Sequence, residues 1–426
     1  MIRNLVALYG VQIATFLLPL LTLPLLARNL GPTALGELAA LQSLFATLGF
    51  LLEYGFNYSA ARQVAIHRED RSRLTVILSD VLGAKVLLSL VFFTVSLGIY
   101  LFVPVFRAQG LLFWLGFLGG LAQGFNLFWF YQGIEKLSWS ASVDVALKVG
   151  YTALVLILVR SPQDVVLVIG LQGLSSFLSL MINGVRARQF VDGVRWSLAG
   201  SLTALREGRS LFFFRAVTLF YTSANSAMLR LFAPAATVAQ YSNAERLTNV
   251  GFSAFGPLMQ VFYPRLSYQV HHNFTEAQRF FRRFLLIILM LSVSAAAVGY
   301  LLAPLAVNLL FGDQFAATVP LFRILLLNIP LMALSNLFGL QWMVPNGMQK
   351  PFNLIVTLAA MLNILSVLFI VPRYQAQGMA WGVVGCELVV TGLMIGSVLR
   401  SDSTPFGVPR SKRVKKSLDS TVQRKL

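Results

Sequence analysis

Twelve apolar runs, separated by shorter polar segments, dominate the chain. They lie near residues 5–27, 34–54, 80–103, 111–131, 143–160, 164–185, 211–232, 237–263, 284–303, 319–340, 353–371 and 376–399. A helix that crosses a bilayer needs about 20 mostly apolar residues, so each run is close to the length of one crossing. The pattern predicts an all-α integral membrane protein of about twelve transmembrane helices, and we number the runs one to twelve.

A basic stretch near residue 200 divides the runs into two sets of six. We therefore expect an N-terminal six-helix lobe over 1–200, a C-terminal six-helix lobe over 201–400 and a basic cytoplasmic tail over 401–426. A short repeat supports two lobes: Arg28 precedes Pro32 at the end of run one, and Arg230 precedes Pro234 at the end of run seven. Such correspondence between halves is typical of transporters built by duplication.

The basic residues predict the orientation of the chain. On one side of the membrane the connections hold only Arg28, Arg107, Arg160 and Arg373, and six further basic residues lie within runs. All the other Lys and Arg residues fall on the opposite side, together with both ends of the chain. Because cytoplasmic connections are rich in Lys and Arg, both termini are expected in the cytoplasm.

Composition adds limits on partners and cofactors. The net charge of +18 is mostly this topology signal, which faces anionic lipid head groups, so membrane lipids and not nucleic acid are the expected partners. The lone Cys386 lies in an apolar run, and the three histidines, His67, His271 and His272, lie in polar connections. No metal and no other cofactor is therefore predicted. The basic tail is interpreted as a cytoplasmic anchor, with a partner-docking tail as the alternative.

Polar side chains recur at helical spacing within some runs and mark a candidate pathway. They lie in run one (Gln12), run four (Gln123 and Asn126), run seven (Thr218, Thr222 and Asn225) and run eight (Asn249 and Ser253). Polar groups inside a bilayer usually face a protein interior or a water-filled cavity. We expect these residues to line a cavity.

Charged residues in or next to the runs suggest what this cavity binds. The basic candidates for substrate binding are Arg28, Lys85, Lys148, Arg215, Arg230, Arg246 and Arg323. The acids are fewer, and the candidates for ion coupling are Asp144, Glu245 and Glu387. A cationic cavity suits an anionic substrate, and the planar arginine side chain suits phosphate especially.

Structural interpretations of the same charges stay open. Glu245 with Arg246, and Asp144 with Lys148, could be neutralising pairs. Arg215, Lys148 and Arg323 lie near the ends of runs, where long basic side chains can reach the membrane surface. No P-loop, GxSxG or HExxH motif appears, so the sequence does not predict an enzyme.

Several segments resemble a known family. The stretch PLLARNLGPTALGELAALQSLFATLGFLLEYGFNYSAARQVA resembles the N-terminal signature of bacterial polysaccharide repeat-unit flippases, which handle O-antigen and exopolysaccharide units. Later segments resemble the same family: YSNAERL, VFYPRLS, FGDQFAATVPLFRIL, PNGMQKP and NILSVLFIVPRYQAQGMAWGVVGCELVV. The family is related to the multidrug and toxin extrusion fold. The resemblance covers nearly the whole chain up to about residue 400.

The resemblance implies two six-helix lobes around a central cavity, in the bacterial cytoplasmic (inner) membrane. It also implies transport of an undecaprenyl-pyrophosphate-linked oligosaccharide to the outer leaflet by alternating access, with polysaccharide polymerase machinery as a possible partner. Three alternatives are a flippase for the lipid-linked peptidoglycan precursor, an ion-coupled drug exporter and a membrane-embedded polymerase or ligase. A flippase for the peptidoglycan precursor typically carries two extra helices. A drug exporter favours acidic and aromatic side chains in its cavity. A polymerase or ligase needs a large outer loop.

The orientation can be tested with reporter fusions. Fusions after residues near 70, 200, 275 and 415 should report cytoplasm, and fusions near 107, 162, 234 and 313 should report the outside, because the basic connections stay inside. An outside signal at the 200 or 415 position would contradict the predicted orientation.

Overall fold

A computed structural model gives the structure of the protein. It describes the backbone of residues 2–407 and the side chains of residues 18, 21–209, 212, 223–256, 258, 259 and 261–407. The basic tail predicted over 401–426 lies outside the described residues from position 408 onward.

The regular elements of the described backbone are all helical. In chain order the α-helices are α1 (Ile2–Glu53), α2 (Phe56–Ile66), α3 (Arg71–Phe102), α4 (Pro104–Arg107), α5 (Gly110–Gly124), α6 (Phe128–Gly133), α7 (Leu137–Leu158), α8 (Val165–Ala187), α9 (Leu198–Ser223), α10 (Asn225–Arg230), α11 (Ala235–Ser253), α12 (Gly256–His272), α13 (Phe274–Phe311), α14 (Thr318–Leu325), α15 (Asn328–Asn336), α16 (Gln349–Phe369) and α17 (Val371–Arg400). Short 3-10 turns lie at Pro162–Asp164 and Asp313–Phe315, and a π-helix lies at Leu337–Met343.

Nine helical stretches of the described residues are long and apolar enough to cross a membrane. Run two and the last residues of run one fall in the first stretch, Leu21–Ile66, and runs three to six and nine to twelve each correspond to one other stretch. Runs seven and eight fall on α9 to α12 and are not among the nine. The all-helical, multi-pass prediction is confirmed, whereas the count of twelve stays a prediction.

The long helix α1 is two helices joined at a kink. Gly31 has φ 71° and ψ 175°, a backbone conformation outside the helical region that glycine adopts without strain. Pro32 follows, and proline is favoured in the first turn of a helix because its missing N–H would have no partner there. The amide of Asn29 donates to the carbonyl of Val159 at 2.8 Å and fixes the kink against the end of α7. The two halves agree with runs one and two.

The chain divides into two compact units. Unit 1 comprises Met1–Ser242 and Val307–Ala316, and unit 2 comprises Asn243–Ala306 and Ala317–Leu426. The division at residue 242 falls within α11 and reflects packing. The two lobes expected from the sequence, with their boundary near residue 200, stay a prediction.

Unit 1 is held together by pairwise packing of its helices. Helix α5 packs on α8, α1 on α7, α3 on α9 and α2 on α6. Helices α5 and α8 approach closely at two glycines, since a Cβ atom on Gly119 would lie 3.1 Å from the Cα of Gly173. In a membrane such small residues let dispersion contacts replace the missing hydrophobic driving force. Trp129, Phe130 and Tyr131 fill the core under α2 and α3.

Unit 2 is built around α17, on which α14, α15 and α16 pack. At one end, the Phe281 and Trp342 rings lie 4.7 Å apart between centroids. The indole N–H of Trp342 donates to the carbonyl of Ser403 at 2.8 Å, which holds the segment after α17. Helix α13 leaves large apolar side chains such as Leu301 and Leu305 exposed, as expected for a surface that meets lipid.

Candidate substrate pathway

Two positions of α1, Gly36 and Ser43, contact the interrupted helical segment formed by α9, α10 and α11. Any Cβ on Gly36 would lie 1.7 Å from the carbonyl oxygen of Ala235, so only glycine permits this approach. The Ser43 hydroxyl donates to the carbonyl of Ser223 at 2.5 Å and accepts from the backbone N–H of Ala227 at 3.2 Å. Ser43 therefore satisfies backbone groups on both sides of the break between α9 and α10.

Arg230, a predicted substrate-binding residue, forms a two-point ion pair with Glu37, which lies on α1. Its guanidinium donates to both carboxylate oxygens of Glu37, at 2.6 Å and 3.1 Å, and to the carbonyl of Ala233 at 3.2 Å. The side chains of Arg230 and Glu37 are 16% and 11% exposed. This contact favours a structural role for Arg230. Sequence reasoning missed Glu37, although a carboxylate inside apolar run two needs a partner and could have signalled one.

Arg28, the other member of the short repeat, lies at a small hydrogen-bonded cluster within unit 1. Its guanidinium donates to the carbonyl of Leu309 at 3.2 Å. The Gln314 amide donates to the carbonyl of Ala27 at 2.9 Å, and the Gln240 amide donates to the carbonyl of Gln314 at 3.1 Å. The predicted orientation places these contacts on the outer side of the membrane. Arg28 itself is exposed.

Lys85 lies at the break between α5 and α6. The residue is only 2% exposed, and its ammonium donates to the carbonyls of Gly124 at 2.6 Å and Asn126 at 3.2 Å. The side-chain oxygen of Asn126 in turn accepts from the backbone N–H of Phe128 at 2.6 Å. Lys85 and Asn126, predicted respectively as a phosphate ligand and a cavity residue, thus satisfy the broken backbone of run four. Gln123, on the preceding turn, is exposed.

Two other basic candidates have local partners. Lys148 pairs with Asp144 one helical turn away at 3.0 Å, and both side chains are about one-third exposed. The guanidinium of Arg323 lies 4.6 Å from the centroid of the Tyr300 ring and donates to the Tyr300 carbonyl at 3.3 Å. The Asp144–Lys148 contact matches the neutralising pair that the sequence left open, whereas the role of Arg323 stays a prediction.

The polar stripes of runs seven and eight are described only in part. Three predicted side chains of run seven lie outside the described residues: Arg215, Thr218 and Thr222. Gln12 of run one also lies outside them. Asn225 is buried at the start of α10. On α11, Asn249 is exposed, and three further candidates, Glu245, Arg246 and Ser253, are half-buried. The roles of these residues stay predictions.

Glu387 is buried in unit 2, on the face of α17 that meets α15. Its carboxylate accepts a hydrogen bond from the Ser335 hydroxyl, and one turn later the Thr391 hydroxyl donates to the carbonyl of Leu331 at 3.1 Å. The π-helix begins two residues after Ser335, and such segments often mark functional positions. Among the described residues, no three His, Cys, Asp or Glu side chains lie close enough together to hold a metal ion.

A cleft of about 200 Å³ in unit 1 was not anticipated from the sequence. It lies where α2, α3 and α9 meet and is lined by Phe56, Ser59, Ala60, Gln63, His67, Arg73, Val76, Ile77, Asp80, Val81, Thr203, Ala204 and Glu207. We call it the α2–α3–α9 cleft. No stripe of one helix could have revealed it, because its polar residues come from three separate elements.

Fold and site together define a multi-pass, all-helical membrane protein with charged groups held inside its helix packing. The chain belongs to the polysaccharide biosynthesis protein family, which matches residues 1–269. A relative from Escherichia coli (strain K12), named "Putative O-antigen transporter", is 25% identical over 402 residues, which cover 92% of this chain and 95% of the relative. The resemblance carried by the sequence segments is confirmed.

Solved structures share the fold at low sequence identity. The lipid II flippase MurJ, in an inward closed conformation, has a TM-score of 0.72 at 12% identity, over 99% of this chain and 91% of that chain. An inward-facing multidrug resistance transporter of the MATE family has a TM-score of 0.66 at 13% identity, over 93% of this chain and 98% of that chain. These likenesses show the fold alone.

The Glu37–Arg230 pair can be tested by single and double replacement. Glu37→Gln or Arg230→Gln should lower protein abundance and the unfolding temperature in detergent, because each leaves a buried charge without its partner, at a cost of about 3 kcal/mol. The double variant should recover much of both quantities. The exposed pair Glu276–Arg279 is the control, and its removal should change little.

The opposite result would reassign Arg230. If Arg230→Gln keeps normal abundance but loses transport, and the double variant does not restore it, then Arg230 contacts the substrate.

Proposed function

We propose that this protein is a flippase that moves an undecaprenyl-pyrophosphate-linked oligosaccharide repeat unit across the bacterial cytoplasmic membrane by alternating access. The observation that carries the proposal is the match along nearly the whole chain to a relative named as an O-antigen transporter, within the polysaccharide biosynthesis protein family. Both termini face the cytoplasm in this proposal. The polymerase machinery that receives the exported unit is the partner that such a reaction requires.

The anionic pyrophosphate is expected to meet arginines on the polar faces of runs seven and eight. Arg246 lies half-buried on α11 in the same stripe as Asn249 and Ser253. In the sequence, Arg215 belongs to the polar stripe of run seven, with Thr218 and Thr222. Guanidinium groups bind phosphate oxygens in pairs, which gives these two positions the chemistry for a head-group contact.

Ion coupling, if the transport uses it, is best placed at Glu387. Of the three acids considered, Asp144 pairs with Lys148, whereas Glu387 is a buried carboxylate whose described hydrogen-bond partner is the neutral Ser335 hydroxyl. A buried acid with a neutral partner can take up and release a proton or a small cation during a transport cycle.

The function is tested by the lipid-linked sugars of cells that lack the protein. We expect these cells to accumulate the pyrophosphate-linked repeat unit and to lose surface polysaccharide, with both effects reversed by the intact gene. Chemical analysis of the extracted lipid measures the first effect and surface staining the second. Accumulation of the peptidoglycan precursor with normal surface polysaccharide would favour the alternative suggested by the fold of the lipid II flippase.

Replacement of the two arginines tests the head-group contact. Arg215→Ala or Arg246→Ala should reduce export at normal protein abundance, because each removes a charge-assisted contact worth about 1.5–3 kcal/mol, and Lys should restore part of the export. Surface polysaccharide is measured relative to membrane protein level. If Arg246 only neutralises Glu245, then Arg246→Ala lowers abundance and the double replacement with Glu245→Ala restores it. Full export by both single Ala variants would remove these residues from the proposal.

A further inference from the structure

The α2–α3–α9 cleft lies where three helices extend beyond their apolar runs. Helix α2 follows the end of run two at residue 54, α3 begins at Arg71 before run three, and α9 begins at Leu198 before run seven. These extensions carry basic residues that the predicted orientation places in the cytoplasm. The cleft is therefore expected at the cytoplasmic end of unit 1, on the side where the sugars of a lipid-linked oligosaccharide are assembled.

The carboxylates of the cleft are held in place by the fold. A Cβ on Gly200 would lie 1.8 Å from a carboxylate oxygen of Asp80, so the glycine lets the Asp80 carboxylate lie directly against the backbone of α9. The Ser197 hydroxyl oxygen accepts from the backbone N–H of Gly200 at 3.1 Å and fixes the start of α9. On the opposite wall, the Gln63 amide donates to the Glu207 carboxylate at 2.5 Å.

The neighbouring turn is also fixed. The Asp70 carboxylate accepts from the backbone N–H of Arg73 at 3.0 Å, which caps α3 and lowers the pKa of Asp70 below its usual value. Arg73 lines the cleft and is exposed to solvent. The Asp70 and Ser197 caps thus fix the starts of α3 and α9, two of the three helices that form the cleft.

The cleft has an apolar floor and a polar rim. Phe56, Ala60 and Val81 are buried and form an apolar floor, whereas Thr203 and Glu207 form an exposed polar rim. Ionised carboxylates only accept hydrogen bonds, while the amide and hydroxyl groups can both donate and accept. The rim therefore suits a ligand with several O–H donors around a small ring whose C–H face can rest on the floor.

Other ligand classes fit this chemistry poorly. A pyrophosphate would meet the two carboxylates of Asp80 and Glu207, which repel it, beside a single arginine, Arg73, which is exposed to solvent. A lipid chain would leave the polar rim without partners, which costs free energy for every desolvated group. A volume of about 200 Å³ is below the ~300–1,000 Å³ of pockets for drug-sized molecules. This volume suits a small group such as one ring, and the open side of the cleft leaves space for a longer chain to continue outside it.

We infer that the α2–α3–α9 cleft binds one sugar ring of the lipid-linked oligosaccharide through its hydroxyl groups, separately from the contacts of the pyrophosphate. This inference rests on the proposed function. It makes Asp80, Gln63 and Glu207 specificity-determining residues. A site built to hydrogen-bond a hydroxyl strongly rejects an analogue that lacks it, because its polar groups are then left unpaired.

The inference is tested by protection of a cysteine at the rim. Thr203→Cys is made in a Cys386→Ala background, and its reaction with a membrane-impermeant thiol reagent is followed in inside-out vesicles. The probe is the oligosaccharide released by mild acid from the lipid of the host cell. We expect a saturating concentration to slow labelling at least threefold, and inorganic pyrophosphate to leave the rate unchanged. His271→Cys, exposed and predicted on the same side, is the control and should label equally with and without the probe.

Replacement of the carboxylates provides a second measurement. Glu207→Gln and Asp80→Asn should each weaken protection of Thr203→Cys by the oligosaccharide at least threefold, since an amide accepts fewer hydrogen bonds from hydroxyl groups. Glu207 is exposed, so its replacement is expected to fold normally even if Asp80→Asn does not. Glu69→Gln, on an exposed residue that does not line the cleft, is the matched control.

The outcomes separate this inference from the proposed function. If intact protein restores surface polysaccharide to deficient cells, but Thr203→Cys is not protected or is protected equally by pyrophosphate, the sugar site is wrong and the flippase proposal stands. If deficient cells accumulate no lipid-linked oligosaccharide, the function itself fails. Protection that survives Glu207→Gln unchanged would also overturn the assignment of the cleft.

Discussion

The structure depends on one constraint, which is that backbone polar groups and charges removed from water must find partners inside the protein. Three interrupted helices show this. Lys85 donates to the carbonyls freed between α5 and α6, and Ser43 bonds both sides of the break between α9 and α10. In unit 2, the Gln341 amide within the π-helix donates to the carbonyl of Met259 at 3.3 Å. Broken helices are tolerated in bilayers only where such contacts exist, so the breaks and their partners form one structural system.

The same constraint changes how intramembrane charges are interpreted. A basic residue in an apolar run indicates that something must compensate its charge, and that partner can be a substrate or another part of the chain. For Arg230 it is Glu37, for Lys148 it is Asp144, and for Lys85 it is a pair of carbonyls. Some of the basic residues in the runs therefore make structural contacts, and others are the arginines proposed to contact pyrophosphate. A count of buried charges alone overstates the size of a substrate site.

The sequence predicted local features well because their cause is local. Apolar run length predicted the membrane helices, and the Gly31–Pro32 pair lies at the kink that separates runs one and two. Partners distant in the chain were not predictable from periodicity. Glu37 and Arg230 are 193 positions apart, and the residues of the α2–α3–α9 cleft come from three helices. Spacing along one helix says which residues share a face but not which helix that face meets, so Glu37 and Asp80 were overlooked.

A transporter of lipid-linked sugars must recognise two chemically opposite parts of one substrate. The pyrophosphate carries charge and requires cations, whereas the sugars are polyhydroxylated rings that require acceptors and an apolar surface. A single site cannot provide both well, since carboxylates placed for hydroxyl groups repel phosphate. Asp80 and Glu207 line the α2–α3–α9 cleft of unit 1, while the sequence pattern predicts Arg215 and Arg246 in the polar stripes of runs seven and eight. In the proposal, the charge contact is common to many substrates and the sugar contact sets the choice among them, because a site built to hydrogen-bond a hydroxyl group strongly rejects a sugar that lacks it.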